Sequence, residues 1–207
     1  MQRTDNGGIA LWVAVSSVLL GGIVFILPVA VLFAALVGGG GTSGKAGQPP
    51  HQWIVLSQAA ALTCKAPTNT SPALAPVLLA IGNVESSFGQ SILPGVHSGH
   101  NSAGAEGPMQ FLPSTFAYYD HPVPADTSMT PFQPASQGLP GGIGIGIPQP
   151  ESPYNVIDAI YAAARLLCSD GYAAGLPELA IYAYNHSARY VNEVLAIAQT
   201  FAKSYHM

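Results

Sequence analysis

Charge is what this chain has least of. Lysine and arginine number 6 and aspartate and glutamate 10 among 207 residues, so charged side chains make up 8% of the total and the formal net charge is −4. No basic stripe exists that could neutralise a phosphate backbone, which excludes nucleic acid as a partner. Cysteine is almost missing as well. Cys64 and Cys168 stand alone, at no spacing that resembles a zinc or iron–sulfur site. His97 and His100 could be mistaken for a metal pair, but the Ser and Gly around them read as a loop, so neither a metal nor a cofactor is expected. Strand alternation and internal repeats are also lacking. What is left to hold a ligand is aromatic faces, amides and hydroxyls, which suit a neutral or mildly acidic polymer such as a glycan.

One stretch has no charge at all. From Ile9 to Val37 the chain is overwhelmingly Val, Leu, Ile, Ala and Phe, and at 1.5 Å per helical residue that more than spans a hydrocarbon layer of ~30 Å. Residues 9–37 are therefore read as a transmembrane anchor. A cleaved signal peptide competes, but its apolar core usually runs ~7–15 residues and is followed by a small-x-small site that is not evident here. Arg3 and the terminal amine precede the span and Lys45 follows it, which favours residues 1–8 on the cytoplasmic side and the remainder outside, in a single-pass arrangement. A glycine-rich linker occupies 38–50. The domain proper is 51–207.

That domain reads as mainly α. A first helix is predicted from about Gln52 to Thr63, and a second from Ser71 as cap and Pro72 as first helical residue. A third starts at Ser152 and Pro153 and stops at Gly171. A fourth begins near Pro177, and a fifth after Ser187 carries Val191, Val194, Leu195, Ala198 and Phe201. Between them, a Pro- and Gly-dense segment at about 120–151 is too long for an ordinary connection and is expected to be functional or disordered. Cys64 and Cys168 fall near helix ends in the outside portion. An oxidising exterior would let them pair; two buried free thiols is the alternative.

The second helix carries an anomaly. Leu74, Val77, Leu78, Ile81, Glu85 and Phe88 recur at steps of three and four, so Glu85 falls on the apolar stripe. Burial raises a carboxyl pKa, and the negative end of the macrodipole just before Gly89 adds to it. Both effects favour a protonated acid near neutral pH. A side chain whose head simply reaches solvent at the helix end is the alternative.

Further along come Asn101-Ser-Ala-Gly-Ala-Glu-Gly-Pro-Met-Gln-Phe111 and then Ala183-Tyr184-Asn185. With Glu85-Ser86, these three motifs stand in the order and spacing of the soluble-type lytic transglycosylases, which the chain resembles from about His51 to its end. The fullest likeness is to actinobacterial membrane-anchored members. The resemblance implies a goose-lysozyme-like helical domain and a lyase acting on the glycan strands of peptidoglycan. In that family the glutamate protonates the oxygen between N-acetylmuramic acid and N-acetylglucosamine, then takes a proton from the muramoyl C6 hydroxyl to leave a 1,6-anhydro ring. Glu85 matches that position. Ser86, Asn101, Met109, Gln110, Phe111, Tyr184 and Asn185 would line the substrate site, with the Tyr184 hydroxyl holding the Glu85 carboxyl. A conjugation or secretion apparatus is the partner machinery implied by the company such members keep.

Two departures are local. Asn101 stands where many relatives have Ser, and His186-Ser187 replaces Ala-Gly after the Tyr-Asn pair. No motif-matched second carboxylate is present. Glu106 reads as a solvated turn residue, Asp158 and Glu178 as first-turn acids favoured by the macrodipole, and Asp120, Asp126 and Glu151 as flanks of the long segment. Hydrolysis by a lysozyme-like muramidase would call for such a second acid ~5–9.5 Å from the first. A non-catalytic glycan-binding domain is the third possibility.

Overall fold

A computed structural model describes residues 45–120 and 151–207 of the chain. The predicted anchor at 9–37, most of the linker, Asp126 and nearly all of the 120–151 segment lie outside the described residues. Among those described, no helix is long and apolar enough to cross a membrane.

The described residues form six α-helices, α1 (His51–Ala61), α2 (Leu74–Ser86), α3 (Pro113–Tyr119), α4 (Val156–Ser169), α5 (Pro177–Asn185) and α6 (Ala188–Tyr205), with a 3-10 turn at Tyr172–Ala174. The described residues contain no strand, only an isolated antiparallel bridge between Glu106 and Phe111. The protein is thus mainly α, as its sequence pattern predicts.

The packing has two centres. Every residue of α2 from Leu74 to Gly82 is buried, and α4 is nearly as enclosed, with Ala159, Ile160 and Ala162–Ala164 all inaccessible. An apolar stripe is therefore too modest a description of α2: it is apolar around its whole circumference and runs through the core. The α1, α4 and α6 helices pack on it, while α3 and α5 pack on α4. Gly82 makes one of these approaches possible. A Cβ there would overlap the indole of Trp53, the largest fully buried side chain of α1.

Two helix starts differ from expectation, each for an identifiable reason. The α2 helix begins at Leu74, with Ala73 as N-cap and no side-chain cap bond, not at Ser71-Pro72. Pro76 explains the shift. It has no N–H, so it must sit in the first turn, where no intrahelical donor is needed; a start at Pro72 would require that N–H to bond the Pro72 carbonyl. That carbonyl instead accepts from the Tyr172 hydroxyl at 3.3 Å. Likewise α4 begins at Val156, capped by Asn155, whose side chain accepts from the Ile157 N–H at 3.0 Å. Ser152 and Pro153 form the preceding turn, and the Asp158 carboxylate accepts from the Ser152 N–H at 3.0 Å. The α3 helix was not expected at all. It opens on Pro113 and buries Phe116, in a stretch to which the sequence pattern assigns no element.

Elsewhere the signals and the structure agree. Ser187 caps α6 by accepting from the Tyr190 N–H, and α5 starts at Pro177. Cys64 and Cys168 are joined in a disulfide with Cα atoms 5.5 Å apart, tying the chain just past α1 to the end of α4.

Candidate active site

Glu85 is the penultimate residue of α2, where the helix leaves the core. The chain then turns sharply, because Ser87, Phe88 and Gly89 all take positive φ. This turn lets Phe88 fold back, buried, with its ring 5.5 Å from that of Trp53 and 6.1 Å from that of Phe201. Glu85 is left half-buried at the rim. Its carboxylate oxygen Oε1 accepts a hydrogen bond from the Tyr190 hydroxyl at 2.6 Å.

Tyr190 belongs to the first turn of α6, and its ring lies parallel to that of Tyr184 from α5, with centroids 6.4 Å apart and 3° between planes. The Tyr184 hydroxyl points elsewhere and donates to the Met109 carbonyl at 2.7 Å. The tyrosine that holds the carboxyl is therefore Tyr190, not Tyr184 as the resemblance implies. The sequence pattern of this helix singles out Val191, Val194, Leu195, Ala198 and Phe201 and not Tyr190, whose role follows from the packing of α6 on α2.

Enclosure governs the electrostatics. Burial pushes the Glu85 carboxyl up from 4.5 to about 7; the Tyr190 hydrogen bond pulls it back, and the Glu193 charge adds to the rise. Burial and the Glu85 charge in turn push the Tyr190 and Tyr184 hydroxyls well above their ordinary value, so both remain donors. Glu193 lies three residues beyond Tyr190 on α6, hence on the same helix face, and nothing in the sequence singles it out. Asp158 is also raised, to about 6, by burial; the Ser152 N–H pulls it back, and the charges of Asp120 and Glu151 add to the rise. That acid serves the capped turn before α4. Asp120, Asp158 and Glu151 are not among the groups that shift Glu85.

The other expected site residues turn their polar atoms toward backbone and one another, in a wall that joins the end of α2, the 95–111 loop and α5. The Ser86 hydroxyl donates to the Pro108 carbonyl at 2.6 Å and accepts from the Gly89 N–H at 2.7 Å, fastening the end of α2 to the 95–111 loop. Asn101 organises that loop. Its Oδ1 accepts from the N–H groups of Ala103 and Ala105, and its Nδ2 donates to Gln110 Oε1 at 2.8 Å. Gln110 Nε2 then donates to the Gly107 carbonyl. Met109 is fully buried and Phe111 nearly so, the latter edge-on to Tyr184 and Phe116. Asn185 ends α5, half-buried. Of the expected ligands, then, Met109, Phe111 and Ser86 shape the site from behind.

Gly107 shows how closely this wall is fitted. Its N–H donates to the Gly95 carbonyl at 2.7 Å, and a Cβ at this positive-φ position would overlap the Pro153 carbonyl. The replaced dipeptide after Asn185 also finds an account: His186 adopts the left-handed conformation that ends α5, at φ 53°, and Ser187 caps α6. Among the described residues no group of three or more His, Cys, Asp or Glu side chains could hold a metal ion. No family model, curated protein or solved structure matches the chain.

Proposed function

We propose that this protein is a peptidoglycan lytic transglycosylase with a lysozyme-like helical domain and Glu85 as its acid and base. The observation that carries the reading is the Glu85 carboxyl itself: half-enclosed, held by Tyr190 at 2.6 Å, and titrating at about 7. An acid at that value is protonated often enough to donate and ionised often enough to accept at the same pH. In the first step the Glu85 proton passes to the glycosidic oxygen as the muramoyl C1–O bond breaks, and positive charge develops at C1. In the second the Glu85 carboxylate takes the proton of the muramoyl C6 hydroxyl while that oxygen bonds C1. One strand leaves with a 1,6-anhydro ring and the other with a free N-acetylglucosamine 4-hydroxyl. Tyr190 keeps the carboxylate oriented between the two transfers. The uncharged 9–37 segment supports an anchored, wall-facing location, with glycan strands as substrate and a transfer or secretion apparatus as the machinery that would use a local opening.

A muramidase is the second reading, and Glu193 is what favours it, as a further carboxylate close enough to influence Glu85. Mass spectrometry of digested peptidoglycan separates the two: anhydro-muropeptides are expected, whereas reducing ends carrying ¹⁸O from labelled water would mean hydrolysis. No release at all would point to a binding domain. Glu85→Gln should abolish cleavage, and a fully active variant would remove Glu85 from the chemistry.

A further inference from the structure

The chain enters the described structure beside the end of α2. Ala46 packs against the core, Pro49 is buried, and the Gly47 N–H donates to the Asn83 side chain at 3.0 Å, so this segment is fastened to the domain before α1 begins. With Lys45 and Gln48 it lines a cavity of about 340 Å³ whose other wall includes Asn83, Phe88 and Gln90. From Gln90 the chain turns outward. The Ser91 N–H donates to the Ser86 carbonyl at 2.9 Å, and the Ser91 hydroxyl accepts from the Leu93 N–H at 3.2 Å, a short turn that presents Ile92 and Leu93. They are 93% and 66% exposed, two adjacent large aliphatic side chains just beyond a cavity that the incoming chain also lines.

The reach of that incoming chain is limited. The uncharged apolar stretch ends at Val37, eight residues before Lys45, and eight residues extend to about 29 Å at most. A domain of this size is roughly 35 Å across, so an anchor at 9–37 cannot serve an entry point on the domain's far side, and the end of α2 must face the bilayer. We propose that Ile92 and Leu93 dip into the lipid surface, seating the domain on the membrane by the same helix end that carries Glu85. The inference rests on residues 9–37 being the anchor. Aliphatic side chains at the tip of a turn suit the boundary between headgroups and acyl chains, where they leave water without giving up a hydrogen bond. Seated in this way, the proposed cleavage falls on the glycan strands closest to the membrane.

The test uses the full chain in vesicles of phosphatidylcholine and phosphatidylglycerol, with a nitroxide on a cysteine introduced by Ile92→Cys or, as control, Leu62→Cys. The native cysteines are paired, so the label goes to the new thiol. Leu62 is also apolar and 85% exposed, but it lies past the far end of α1, about 16 Å of helix away from the incoming segment. Collisions with oxygen, which concentrates in hydrocarbon, are compared with collisions with a nickel chelate, which stays in water. The oxygen-to-nickel ratio should be several-fold higher at 92 than at 62, and adding Leu93→Asp should lower it. Equal ratios at the two positions would overturn the proposal, as would a label at 92 shielded from both reagents, the sign of a protein partner there. Washing the vesicles with alkaline carbonate tests the anchor separately. A chain that stays with the lipid while 92 behaves like 62 overturns the lipid contact alone; a chain that washes off, with its label in water beforehand, overturns the anchor and the contact together.

Discussion

Replacing Glu85 by glutamine should make the protein more stable at alkaline pH, by an amount that grows with pH. The carboxyl binds its proton at 4.5 in an exposed chain and at about 7 in the folded one. Between those values the folded state holds more protons than the unfolded state, so stability falls as pH rises and is lowest once Glu85 has ionised. At about 1.4 kcal/mol per pH unit the interval amounts to roughly 3 kcal/mol, a large share of the ~5–15 kcal/mol that holds a domain together. Glutamine has the same shape, stays neutral, and its amide oxygen can still accept from Tyr190. The variant should therefore match the parent near pH 4 and exceed it by up to about 3 kcal/mol by pH 9. Urea unfolding followed by circular dichroism across that range measures the difference directly. A stability difference that is flat with pH would refute the reasoning, since it would mean a solvated carboxyl with an ordinary affinity for protons.

Three further outcomes are expected. Tyr190→Phe removes a hydrogen bond that is about twice as strong to the anion as to the neutral acid, so the alkaline limb of glycan cleavage should rise by about half to one pH unit; a limb that moves down would contradict the assigned role. Gly82→Ala should destabilise by about 1–2 kcal/mol in thermal melts, overpacking against the Trp53 indole outweighing the gain in helix propensity. Cys64→Ala with Cys168→Ala should cost about 4–5 kcal/mol in urea unfolding under oxidising conditions, given 104 residues of separation, and should be nearly silent once reductant is present.

Which parts of this molecule were legible depends on where the information resides. The α5 and α6 boundaries are written locally, in Pro177 and Ser187, and the structure places them there. The start of α2 is also local, but it is governed by an absent donor at Pro76 rather than by the conspicuous Ser71-Pro72, and competing signals hide it. Glu85 was legible because a carboxylate among leucines contradicts its surroundings. Tyr190 was not, since a tyrosine among valines contradicts nothing, and only the meeting of two helices shows what its hydroxyl is for. Asn101, Gln110 and Ser86 illustrate a different blind spot. A polar side chain announces that it will bond, not with what, and these spend most of their capacity on backbone.

The parallel tyrosines have a mechanical consequence. Tyr184 is pinned by its hydroxyl to the loop carbonyl at Met109, Tyr190 is pinned by its hydroxyl to the carboxyl on α2, and the two rings lie parallel with centroids 6.4 Å apart. Loop, tyrosines and carboxyl thus form one continuous series of contacts from α5 to the end of α2. Under the role proposed for Glu85, a glycan strand that displaces the loop would reach the carboxyl through those same contacts, away from the bond to be broken.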